Sequence, residues 1–295
     1  MKRNVDLLEG PIAGSLAKLA FPIMGTSLIQ MAYNLVDMIW IGRISSNAVA
    51  AIGAAGMYMW LANGITTIPR MGGQVTVGQS LGAMDKDAAI DYARGSIRMG
   101  TLLGILYGII SVIFSGPLIG FFKLNSPDVI HDAKMYLIIT CGAIVFSFLN
   151  QVFTGILAAM GNTMATFRAT TIGLIINIVL DPLFIFGFGP VPRMEVTGAA
   201  IATVLAQIIV FLLYLVTVWN EPVIFKHIHL MQKTEKQHVR EIVRIGFPSA
   251  IQDALFSGIS MVIARLIAGW GDAAVAVQKV GSQIESISWM AAGGF

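Results

Sequence analysis

An all-α polytopic membrane protein is the fold class the sequence predicts, and three observations predict it. Apolar residues fill 56% of the 295 positions and charged ones only 12%, with a mean hydropathy of +0.77, too little polar material to clothe a soluble globule. The apolar residues fall into successive runs long enough to cross a bilayer, separated by short clusters of turn-forming residues. Two carboxylates nevertheless sit inside such runs, Asp37 in QMAYNLVDMIWIG and Asp181 in GLIINIVLDPLFIFG. An acid near mid-bilayer costs about 2.5–3.5 kcal/mol on insertion scales, so each needs a cavity or a partner to face.

The length accommodates about eight spans. They are placed at 13–43, 47–80, 90–122, 130–160, 164–188, 196–220, 241–270 and 273–295. Their separators carry turn chemistry: Arg43 to Asn47, Gly82 to Asp85, Asn125 to Asp128, Gly161-Asn162, and the Gly/Pro-rich stretch from Gly187 to Pro192. The longest interruption, 221–240, is polar and basic and reads as a linker with a surface-lying helix. Residues 1–220 therefore form an N-terminal six-helix bundle, 221–240 a cytoplasmic linker, and 241–295 the start of a second bundle.

With alternating helices, Lys2, Arg3, Lys18, Lys86, Arg94, Arg98, Arg168, Lys226, Lys233, Lys236, Arg240 and Arg244 share one side, against Arg43, Lys123, Lys134, Arg193 and Arg265 on the other. The positive-inside rule puts the N-terminus and the linker in the cytoplasm and the protein in the cytoplasmic membrane. The net charge of +3 belongs to these loops, which fits membrane orientation rather than nucleic-acid binding. Cys141 is the single cysteine and the four histidines mostly cluster in one loop, which argues against a disulfide and against metal catalysis. The polar start MKRNVDLLEGPIAG and the length of the apolar run behind it predict that the first segment stays as a span.

An internal repeat supports the joint between halves. Leu19-Ala20-Phe21-Pro22 opens the first helix and Ile245-Gly246-Phe247-Pro248 the seventh, and NAVAAIGAAG from Asn47 resembles DAAVAVQKVG from Asp272. An even number of helices separates the copies, so the halves share an orientation and are related by an axis along the membrane normal. A complete protein of this design has about twelve helices, and the second copy stops at Phe295, so the chain is expected to be C-terminally incomplete.

Gln30, Tyr33, Asn34 and Asp37 recur at three-, four- and seven-residue spacings and share one face of the first helix. Such a stripe lines a polar cavity, or else glues helices through hydrogen bonds worth about 0.6 kcal/mol each. Asn177 and Asp181 form an i,i+4 pair, and Pro182 frees the carbonyl of Ile178 beside the acid. Carboxylate, amide and free carbonyl suit a hard cation and equally a proton; the bland alternative is a proline kink with a satisfied acid. Asn150 and Gln151 extend the polar cavity or pack. Arg70, after Pro69, binds an anionic group or, by the stronger expectation, snorkels to the cytoplasmic interface.

In order along the chain, the Phe-Pro opening, NLVDMIWIG, GQSLGAMD, GILAAMGNT, NIVLDPLFIFG, GAAIATV and ESISWM resemble the multidrug and toxic compound extrusion (MATE) family of efflux transporters. The resemblance covers the whole chain and is nearest the archaeal-type and DinF-like branch. It implies a twelve-helix fold and a monomeric H+- or Na+-coupled antiporter. Such a protein exports a small, amphipathic drug or metabolite across the bilayer by alternating access, with no enzyme activity and no cofactor beyond the coupling ion. It also implies that Asp37, Asn177, Asp181 and the sixth-helix Thr203 form the coupling-cation site. Asp37, Asn177 and Asp181 hold the metal if the ion is sodium, and Pro22 and Pro182 act as hinges. The acid of the family's Na+-coupled bacterial branch falls where this chain has Phe256, near Gln252 and Asp253, which argues against a cation site in the second half. A lipid or oligosaccharide flippase of related fold would instead want a basic cavity. An intramembrane aspartyl protease would want a Gly-x-Gly-Asp segment, which Asp181 lacks. The third rival is a non-transporting fragment.

Overall fold

The architecture was taken from a computed structural model that describes residues 22, 24–26, 28, 29, 32, 35–187, 192–219, 221, 224–228, 232 and 234–293. Gln30, Tyr33 and Asn34 lie outside the described residues. Positions 35–42 are helical, and after a turn at 43–45 the chain continues as α1 (Ser46–Gly82), α2 (Lys86–Ile113), α3 (Ser115–Gly120), α4 (Pro127–Gly142), α5 (Ile144–Ala159), α6 (Thr163–Phe186), α7 (Glu195–Trp219), α8 (Lys236–Ala268) and α9 (Asp272–Gly293). No strand occurs among the described residues. Five of these helices are long and apolar enough to cross a membrane, and the α4–α5 pair makes a sixth crossing if it counts as one.

The helices begin where the turn chemistry predicts. The Ser45 hydroxyl accepts from the Ala48 amide at 3.0 Å, Asp85 Oδ1 from Ala88 at 3.0 Å and Asn162 Oδ1 from Ala165 at 3.4 Å, each satisfying a first-turn donor. Two expected helices are broken instead of continuous. The span expected at 90–122 ends at Ile113 and restarts as α3, because Pro117 has no amide to give the carbonyl of Ile113. The span expected at 130–160 bends by 49° at Ala143, next to Gly142, where helical propensity is weak. In the expected linker 221–240, the described residues form a 3-10 turn at Phe225–His227, with Ile224 and Phe225 buried, and from Lys236 the first turn of α8.

Helix α1 is the axis of the assembly. It packs most extensively on α8, and also on α2, α4, α5 and α9. Helices α1 and α8 run antiparallel, since Gly72 approaches Ile242 while Gly64 approaches Asp253 and Ala254. The backbones almost touch at the first of these levels: a Cβ on Gly72 would lie 2.2 Å from the Ile242 carbonyl oxygen, and one on Gly246 2.2 Å from that of Ile68. Small residues let helices approach this closely, and in a bilayer that close packing is what drives their association.

One core cluster gathers Ile41, Ile52, Phe122, Phe148, Ile185 and Ala264; the other gathers Val77, Tyr92, Phe153, Ile156, Tyr214 and Ile242. The outward faces are apolar: Leu102, Ile105, Leu106, Ile109 and Ile113 are exposed along one side of α2, as are Ile172, Ile175 and Val179 on α6. Exposed aliphatic stripes at helical spacing suit a hydrocarbon solvent, with backbone groups satisfied inside each helix.

Candidate functional site: a polar cavity with a buried carboxyl pair

A cavity of about 550 Å³ opens between the helices of the first half and α8–α9. Its wall includes Asp37, Trp60, Asn63, Thr67, Arg70, Asn150, Gln151, Thr154, Thr203, Gln207, Asp253 and Lys279 among apolar neighbours such as Ile52, Phe148 and Phe256. An apolar pocket with a few convergent polar groups is the usual form of a small-molecule site.

Asp37 forms part of this wall, while Asn177 and Asp181 lie behind it with no solvent exposure. The i,i+4 spacing on α6 brings Asn177 Nδ2 to Asp181 Oδ1 at 3.0 Å. The Asp37 and Asp181 side chains are in hydrogen-bonding range of each other. Among the described residues, three buried oxygens of this cluster have no donor: Asp37 Oδ1, Asn177 Oδ1 and Asp181 Oδ2. Ionised carboxylates only accept, so two of them side by side lack a donor between them unless a proton or a cation supplies the positive partner. Orphaned oxygens from two carboxyls and an amide are the donor set a hard cation takes. Thr203 lines the same cavity without joining these hydrogen bonds among the described residues. Pro182 sits inside the continuous helix α6, and Pro22 is helical, with its carbonyl accepting from the Thr26 hydroxyl at 2.8 Å.

Asn150 and Gln151 both line the cavity. Asn150 Nδ2 donates to the backbone oxygen and to Oε1 of Gln207, at 3.0 and 2.9 Å, and its own Oδ1 is buried without a partner among the described residues. Gln151 Oε1 accepts from Arg70 Nη1 at 3.3 Å. The expectation that Arg70 snorkels outward therefore needs correction. Its side chain lies along the cavity wall, where Gly155 leaves room for its stem and the charge of Asp253 acts on it. Asp253 accepts from the Thr67 hydroxyl at 2.8 Å, a side-chain bond between α1 and α8. Ile263, which the repeat aligns with Asp37, is exposed and apolar, so the second copy has no matching acid at that position.

Lys279 on α9 is the site residue that sequence reasoning missed. It is only 9% exposed, its charge acts on Asp37, and its Nζ lies 5.3 Å from the centre of the Trp60 ring. The signal was present: a lysine within an apolar helix is as costly as the two acids that were noticed.

A family model described as MatE matches residues 22–183, more than half of the chain. The chain belongs to the MATE family. A probable multidrug resistance protein NorM of Thermotoga maritima is 30% identical over 286 residues, covering 96% of this chain and 61% of its own length. A multidrug resistance MATE transporter solved in an outward-facing conformation superposes with a TM-score of 0.83 at 25% identity, covering 100% of this chain and 64% of that one. An inward-facing MATE structure gives 0.81 at 24% identity over 93% of this chain and 63% of its own. This MATE chain thus spans about three fifths of the length of the relatives it matches. Members of the MATE family are transporters, not enzymes.

Proposed function

We propose that the full-length protein exports a small amphipathic compound from the cytoplasm in exchange for an inward-moving H+ or Na+, and that Asp37, Asn177 and Asp181 are the ion's site. The carrying observation is the cluster of three buried oxygens, at and behind the cavity wall, that have no donor among the described residues and so have a direct use for one positive charge. Ion and substrate meet at Asp37, the one member of the cluster that the cavity reaches. Charge at Asp37 and Asp181 favours one arrangement of the helices and its neutralisation another, with Pro22 and Pro182 as the bending points. Exclusive occupancy by ion or substrate then couples the two fluxes through alternating access. The resemblance to both inward- and outward-facing family structures supports this scheme. The cytoplasmic N-terminus and the cytoplasmic-membrane location rest on the loop charges, and the monomeric state on the family resemblance.

A flippase reading has less support, because the cavity wall balances two cations, Arg70 and Lys279, with two acids, Asp37 and Asp253. Vesicles carrying the full-length protein and a fluorescent amphipathic dye test the proposal. A jump in pH or in sodium starts dye export, and the effective jump identifies the ion. Export indifferent to both jumps would overturn ion coupling.

A further inference from the structure

Lys279 belongs to α9, in the second half, yet lines the same cavity as Asp37 of the first half. Its stem lies in a groove on α1 made by two glycines one turn apart. A Cβ on Gly53 would sit 3.4 Å from Lys279 Cβ, and one on Gly56 3.5 Å from Nζ. A Cβ at Gly56 would be in ordinary van der Waals contact with the ammonium, and a long side chain there would compete with it for this position. The ammonium faces the Trp60 ring, a favourable seat for a cation, and lines the same cavity as Asp37, on which its charge acts. No carboxylate lies within 4.0 Å of it among the described residues, so it shares the cavity with the acid without being paired to it. A buried ammonium without a tight partner is expensive, and its long-range attraction to Asp37 offsets part of that cost.

We propose that the Lys279 ammonium is a tethered cation that competes with the exchangeable ion for the charge of Asp37. The inference rests on the ion-coupled reading given above. With the site empty, Lys279 supplies the positive charge and draws α9 towards the first helix. An ion arriving between Asp37 and Asp181 takes over that charge, and the attraction holding α9 weakens. One residue thereby converts ion occupancy into a change in contact between the two halves. Lys279 is a positioning residue in this scheme, and substrate need not touch it.

The test measures ion affinity in the purified full-length protein, as the change in tryptophan fluorescence and in thermal midpoint. One arm titrates sodium chloride against choline chloride at fixed pH, and the other titrates pH without sodium. The charged groups facing the site are Asp37, Asp181 on α6, Asp253 on α8 and Arg70 on α1. Lys279→Gln, and Lys279→Met, whose unbranched chain fills the same groove, should tighten ion binding about tenfold, the order expected of one unit charge inside a protein. Lys279→Arg should stay near wild type. In an Asp37→Asn background, removing the lysine charge should change nothing further. Unchanged affinity in both neutral variants, or an equal change in the Asp37→Asn background, would overturn the role of Lys279 alone. A wild-type protein with no saturable response to sodium or protons would instead remove the ion-coupled reading.

Discussion

Asn177 holds one oxygen of Asp181 and leaves the other open: Nδ2 donates to Oδ1 at 3.0 Å, while Oδ2 is buried with no donor among the described residues. Among the described residues the pair is therefore half-satisfied, with one oxygen fixed in place and the other without a donor. Replacing Asn177 with Ala removes the fixed half. Thermal unfolding in detergent should show a loss of about 1–3 kcal/mol, the cost of stripping a donor from a buried acceptor, and ion affinity should fall with it. Unchanged stability and affinity in Asn177→Ala would show that the amide orients nothing.

Thr67 ties the halves together at the level of the cavity. Thr67→Val keeps the shape of the side chain and removes the 2.8 Å donor to Asp253 Oδ2; Asp253 is exposed, so water replaces part of the bond and the loss should be about 1 kcal/mol or less. Thr67→Ser should recover most of this. Equal melting of all three proteins would place the Asp253 carboxylate in contact with water instead of with α1.

The α1–α8 seam depends on absent side chains. A Cβ at Gly246 meets the Ile68 carbonyl oxygen at 2.2 Å, and backbone cannot swing aside as a flexible side chain can. Gly246→Ala and Gly72→Ala should each lower stability by about 1–3 kcal/mol or more through overpacking. Gly82→Ala is the control, since nothing lies within 4 Å of its added Cβ. Its melting point should not fall.

Orientation can be read by labelling. In a Cys141→Ala background, a cysteine replacing Lys236 should react with an impermeant maleimide only after cells are opened, and one replacing the exposed Lys123 should react in intact cells. The reverse pattern would invert the topology drawn from the loop charges.

Much of the helical framework was legible because the turns carry their own chemistry: Ser45 and Asn162 cap helices that begin one residue from the expected starts, and Asp85 caps one that begins four residues before its expected start. The breaks at Phe114 and Ala143 were not, because an apolar run reads the same whether the helix inside it is straight or bent. Asp37 and Asp181 stood out through the cost of their burial, and Asn177 through its one-turn spacing. The partners from the other half did not. Asp253 finds Thr67 across 186 positions, and Lys279 finds Asp37 across a still longer stretch of chain, so both depend on how α8 and α9 dock. Local periodicity carries no information about that docking.

The central claim is that Asp37 and Asp181 bind the ion that drives export. The most direct measurement is dye export from proteoliposomes containing the full-length protein, driven by an imposed proton or sodium gradient, for wild type, Asp37→Asn and Asp181→Asn reconstituted to equal levels. Asparagine keeps the shape and removes the charge, so both variants should insert normally and lose gradient-driven export. Wild-type export rates in both would contradict the account.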